Sequence, residues 1–73
     1  MKIDVDVAQR VRVELARQRR TAASVAREIG MDPRAFRHRT RAEVGFTVAE
    51  IMRTAEALDV SVGDLIDSPT SVR

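Results

Sequence analysis

Apolar residues recur along this chain every three to four positions, the period of an amphipathic helix. Val7, Val11 and Leu15 fall at i, i+4 and i+8 and predict a first helix over 6–19. Asp6, with Gln9 three residues on, can cap it, which would make Ile3 to Val5 an extended lead-in; the sequence leaves residues 1–6 open between extended and helical. No alternation longer than Ile3-Asp4-Val5-Asp6-Val7 suggests a strand. Thr21 reads as the cap of a second helix over 22–29, with Ala22, Val25, Ala26 and Ile29 inward and Gly30 at its left-handed stop. Asp32 followed by Pro33 opens a third helix over 33–40. Met31 and Phe36 match a hydrophobic staple across that start. Thr47 with Glu50, and Ser61 with Asp64, are capping boxes for helices over 48–58 and 62–66. Phe46 with Ile51, and Val60 with Leu65, are their staples.

These elements predict an all-α, compact five-helix domain over 1–66, with 67–73 as a flexible tail. The expected core is Val11, Leu15, Val25, Ile29, Phe36, Val48, Ile51, Met52, Leu58, Leu65 and Ile66. A chain of 73 residues makes one domain at most. A domain of that size buries only about 60% of its unfolded surface, so stability should be marginal.

Composition narrows the chemistry. There is no cysteine, so no disulfide and no thiolate metal site. One histidine, His38, makes no zinc site alone, and no metal, cofactor or small-molecule ligand is expected. No Gly-rich phosphate loop and no nucleophile paired with a histidine base suggest an enzyme. No apolar run approaches the ~20 residues of a membrane span, and residues 1–7 hold no signal-peptide core, so a cytoplasmic protein is expected.

The net charge of +2 is unevenly placed. Residues 10–41 hold ten arginines against Glu14, Glu28 and Asp32, a balance of +7. Residues 42–67 hold Arg53 against six acids, a balance of −5. Such polarity suits an anionic partner on one face. The plainer reading, solvated helix faces, explains the charge alone equally well. The sharper signal is local. Residues 33–41 carry four arginines and His38 with no acid. The second and third helices, joined by a tight turn, make a helix-turn-helix over Thr21 to Arg41, a motif whose second helix enters the major groove. With Phe36 inward, Arg34, Arg37, His38 and Arg41 point outward or sideways. The arginine fork suits guanine O6 and N7. Arg34, Arg37 and His38 are therefore the expected base readers. Free amides at Ala22, Ala23 and Ser24, with the Thr21 hydroxyl, suit a backbone phosphate. Arg41 and Arg39 are further phosphate candidates; Arg39, nearer the inner half, packs, pairs or touches phosphate rather than reading bases. Arg20 and Arg27 are possible flanking phosphate contacts, and Arg17, Arg19 and Arg20 also suit a helix C-terminus.

The segment Thr21 to Ile66 resembles the Cro and lambda-repressor-like helix-turn-helix family without a gap, and the likeness extends to about Val11. It rests on Thr21, Val25, Ala26, Ile29 and Gly30, then Ala55, Ala57, Leu58, Val60, Ser61, Leu65 and Ile66. The resemblance implies a five-helix domain that binds operator DNA and represses transcription in a phage, prophage or bacterial host. It implies base reading at Pro33, Arg34, Arg37 and His38, and phosphate contacts at Thr21, Ala22 and Arg41. The chain departs from the family pattern at Arg20, Ala22, Pro33, Thr40 and Ala42. Thr40 stands at a common core position and Ala42 where glycine usually turns the chain. One module touches few base pairs, so a weak homodimer on an inverted repeat is expected. Val62, Ile66 and Val72 are its first candidate surface, and Ile3 with Val5 its second. The alternative is an antitoxin or interaction module on the same fold, which would have no need of the arginine-rich face.

Overall fold

The computed structural model describes residues 3–66, with side chains from Asp6 onward; the expected tail and Val72 lie outside the described residues, as do the side chains of Ile3 and Val5. Five helices make up the domain: α1 (Ile3–Gln18), α2 (Ala22–Glu28), α3 (Pro33–Thr40), α4 (Val48–Leu58) and α5 (Val62–Ile66). No strand occurs among the described residues. The fold is all-α, as the periodicity predicts.

Helix starts follow their local signals. The Thr21 hydroxyl accepts from the Ser24 amide at 3.1 Å, and the Asp32 carboxylate accepts from the Ala35 amide at 3.4 Å. Both capping boxes close reciprocally. Thr47 and Glu50 exchange bonds of 2.9 and 3.1 Å, and Ser61 and Asp64 exchange two of 3.1 Å. The alternative left open at the start of α1 is decided for helix: α1 runs Ile3–Gln18, and Asp6 is its fourth residue rather than its cap. Ile3 simply extends the i, i+4 series of Val7, Val11 and Leu15 backward by one turn.

Helix ends share one geometry. After each of α1 to α4 a residue turns left-handed: Arg19 (φ 55), Gly30 (φ 79), Ala42 (φ 62) and Asp59 (φ 59). Each donates its amide three residues back, and the next residue donates five residues back, at 2.8–3.2 Å. This paired stop satisfies two carbonyls that the helix leaves open. Only one of the four positions is glycine, so three pay the steric cost of a Cβ in this region.

The stops hold the links short and force neighbouring helices together. Contact is most extensive between α2 and α3, then between α1 and α5. Phe36, fully buried, meets Phe46 edge to face, with ring centroids 5.9 Å apart and planes at 84°. Val7, Val11 and Leu15 of α1, Val25 and Ala26 of α2, Ala55 and Leu58 of α4, and Leu65 of α5 complete the core. Ile29 and Ile51 are partly buried against it.

Three expected core residues lie elsewhere. Val48, Met52 and Ile66 are exposed, at 74, 56 and 43%. Helix α4 buries Thr54, Ala55 and Leu58, with Ile51 beside them, so its inward stripe is rotated away from Val48 and Met52. That stripe runs through Thr54, a residue polar by type, and so departs from the apolar pattern of the sequence. Thr40 and Thr54 are both buried. The Thr40 hydroxyl donates to the Arg37 carbonyl at 3.0 Å, whereas the Thr54 hydroxyl has no partner.

Candidate functional site

Helix α3 is held in one rotational setting. Phe36 and Thr40, at i and i+4, are buried. Arg34, Arg37, His38 and Arg41, at i, i+3, i+4 and i+7, therefore form an exposed stripe along the other side. At the far end of α3 an Arg12 Nη1 donates to the Thr40 carbonyl, which ties the helix back to α1. Arg39 turns away from the stripe. Its Nε and Nη2 donate to the two Glu50 oxygens at 3.0 and 3.2 Å, a two-point bridge to the start of α4. That fork, with the Thr47 amide, holds the Glu50 carboxyl below its ordinary value despite desolvation.

The arginines separate into two groups. Arg10 donates to the Asp64 carbonyl at 3.1 Å and Arg17 to Glu14 at 2.8 Å. Arg20 binds Glu28 at 2.6 Å and the Ala57 carbonyl at 3.2 Å. With Arg12 and Arg39, Arg10 and Arg20 brace the fold, whereas the Arg17 pair lies within α1 on its exposed side. Arg19, Arg27, Arg34, Arg37, Arg41 and Arg53 are exposed and have no hydrogen-bond or ion-pair partner among the described residues. Three of these six stand on the α3 stripe and a fourth, Arg27, is on α2, the helix packed against it.

His38 is the one stripe residue with a partner. Its Nδ1 lies 2.6 Å from Glu43 Oε1, with both side chains about half exposed. The hydrogen bond from His38 is the main cause holding the Glu43 carboxyl below its ordinary value, and the charges of His38 and Arg41 act in the same direction. At the start of α2, Thr21 already occupies the Ser24 amide, which removes Ser24 from the expected set of free donors. Ala22 and Ala23 are half-buried beside it.

Of the residues singled out by sequence, Arg34, Arg37, His38 and Arg41 thus share one exposed face. Arg39 and Arg20 are committed to internal bridges. Two acids escaped the sequence reading. Glu50 was visible only as a capping residue, and the Arg39 bridge needs the α3–α4 packing. Glu43 lies five residues after His38, a spacing that pairs nothing on a straight helix; the left-handed turn at Ala42 folds it back.

On another side, Met52, Arg53, Glu56, Val60 and Val62 line an open groove of about 470 Å³ along α4 and α5. No described helix is long and apolar enough to cross a membrane.

No family model and no curated protein matches the chain. Among solved structures it is similar to a hypothetical transcription factor, NHTF, from Neisseria, with a TM-score of 0.86 at 20% identity. The match covers 94% of this chain and 79% of the other. At that identity the likeness speaks for the fold.

Proposed function

We propose that this chain is a sequence-specific, double-stranded DNA-binding transcriptional regulator, a Cro-like repressor of a phage, prophage or bacterial host, working in the cytoplasm without a cofactor. One observation carries the reading. The cations of α3 that do nothing for the fold are all on one exposed stripe, on the second helix of a helix-turn-helix. A folded domain gains nothing from leaving Arg34, Arg37 and Arg41 together and unpaired, whereas a phosphate-lined groove would neutralise them. The description of the similar Neisseria protein as a hypothetical transcription factor supports the same reading.

In this reading Arg34, Arg37 and His38 read base edges. Arg41 and Thr21, Ala22 and Ala23 hold phosphates, and Arg27 flanks them. Arg39 and Arg20 contribute mainly by fixing the helices, since their guanidiniums are already engaged. Selection from a random duplex pool tests the proposal: recovery of one enriched motif is expected, and a pool left unenriched at moderate salt would refute it.

The regulator works as a weak homodimer on an inverted repeat, with two α3 helices about 34 Å apart. The exposed Met52, Val62 and Ile66 on α4 and α5 offer the apolar surface for it. Footprinting, with sedimentation at micromolar concentration with and without operator, should give a symmetric footprint and two chains per site. One chain on an asymmetric half-site would exclude the dimer.

A further inference from the structure

The His38–Glu43 pair sits on the stripe that the proposed function assigns to base reading, yet base reading by arginine has no need of Glu43. The pair is built into the end of α3. Ala42 turns left-handed, its amide donates to the Arg39 carbonyl at 3.0 Å, and the Glu43 amide donates to the His38 carbonyl at 3.0 Å. This backbone bond brings Glu43 back to His38, and the side chains meet at 2.6 Å through Nδ1. The Val44 amide also leans on the His38 carbonyl, at 3.4 Å.

We propose that Glu43 is a specificity-determining positioning residue: by occupying Nδ1 of the neutral His38 ring it leaves Nε2 to meet DNA as a hydrogen-bond acceptor. The inference rests on the reading of α3 as the base-reading helix. An ionised carboxylate only accepts hydrogen bonds, so the nitrogen facing it carries the proton. A neutral imidazole has one N–H, and that commits Nε2 to its bare form. Glu43 meets the requirement, because its carboxyl is held below its ordinary value, first by the hydrogen bond from His38, and the assignment concerns the neutral ring.

The consequence is a definite base preference. In the major groove an acceptor is matched by the amino groups of adenine N6 and cytosine N4, and opposed by guanine O6 and N7 and by thymine O4. Without Glu43 the ring is free to take the other tautomer, whose Nε2–H donates to guanine or thymine. The same histidine would then select the opposite class of bases. Glu43 touches no DNA in this scheme; it acts through the ring it holds.

This chain has a single histidine, so its ring nitrogens can be assigned by NMR without ambiguity. The test joins nitrogen-15 spectra of the free protein at pH 8 to duplex selection at the same pH, for wild type, Glu43→Ala and His38→Ala. Wild type should hold the Nδ1–H tautomer and prefer adenine or cytosine at one position. Glu43→Ala should populate Nε2–H and shift that position alone toward guanine or thymine, by about tenfold. His38→Ala should flatten the same position. A wild-type Nε2–H tautomer, or a Glu43→Ala motif identical to wild type while His38→Ala changes it, would overturn the role of Glu43 and leave DNA reading by α3 intact. Loss of all enrichment in wild type would overturn both.

Discussion

Arg39 and Glu50 form a two-point bridge at 3.0 and 3.2 Å, and the oxygen that receives Arg39 Nε also receives the Thr47 amide at 2.9 Å. One carboxylate therefore caps α4 and fastens α3 to it. Both side chains are largely covered, at 19 and 15% exposure, so the bridge is not an ordinary surface ion pair. It removes Arg39 from the outer stripe and fixes how the remaining cations face outward.

Glu50→Ala should destabilise the domain by about 1–3 kcal/mol, since it deletes half of a capping box and leaves a covered guanidinium unpaired. Urea unfolding reads the loss. The pH dependence has a definite sign. The folded carboxyl titrates below its ordinary value of 4.5, so its contribution is complete above that pH and disappears as pH falls through the folded value. The gap between wild type and Glu50→Gln should narrow on acidification. A gap that widened would contradict the bridge.

Ala42→Gly should stabilise the domain by about 1 kcal/mol, raising Tm by about 4–8 °C. The alanine holds φ 62 with a Cβ, where glycine would not be strained. Gly30→Ala supplies the mirror experiment. A Cβ there would meet nothing within 4 Å, so any loss reports φ 79 alone. Thermal melts of the two variants should move in opposite directions.

Thr54→Val should also stabilise, by about 1 kcal/mol. The Thr54 hydroxyl is fully buried with no partner, a group whose desolvation is uncompensated. Valine keeps the shape and removes the hydroxyl. A destabilised Thr54→Val protein would mean that the hydroxyl finds a partner in solution.

Substitutions on the stripe should separate by role. Arg34→Ala and Arg37→Ala should each cost about 1–3 kcal/mol of binding and relax preference at particular bases. Arg41→Ala should weaken all sequences alike and lower the salt slope by about 0.9. Arg39→Ala should lose stability before it loses affinity. Titrations at several salt concentrations, paired with melting curves, distinguish these patterns.

The domain was legible in sequence wherever structure is decided locally. Caps at Thr21, Asp32, Thr47 and Ser61 signal their helices through their own neighbours, and Gly30 signals its stop. The stops at Arg19, Ala42 and Asp59 carry no glycine and stayed silent. Helix faces were less legible. A buried threonine reads as polar, so Thr54 hid the true inward stripe of α4 and Met52 was placed inside. On α3 the outer stripe followed from Phe36 alone, because one large aromatic fixes the rotation of a short helix. The inward lean of Arg39 was legible from its place on α3, but its partner Glu50, and the partners of Arg20, lie on other helices or across turns and were not.

The order of helix contacts also governs how the chain assembles. Helices α2 and α3 adjoin in sequence and share the most extensive contact, so they can condense after closing only a short loop. Helix α5 must find α1 across the chain, as the Arg10–Asp64 bond spans 54 positions. That closure costs the most chain entropy and has only five helical residues to reward it. The helix-turn-helix should thus form early, with α5 as the seal that closes last and opens first. Amide exchange in the native protein should release α5 well before α2 and α3; equal protection in all five helices would mark a single cooperative unit.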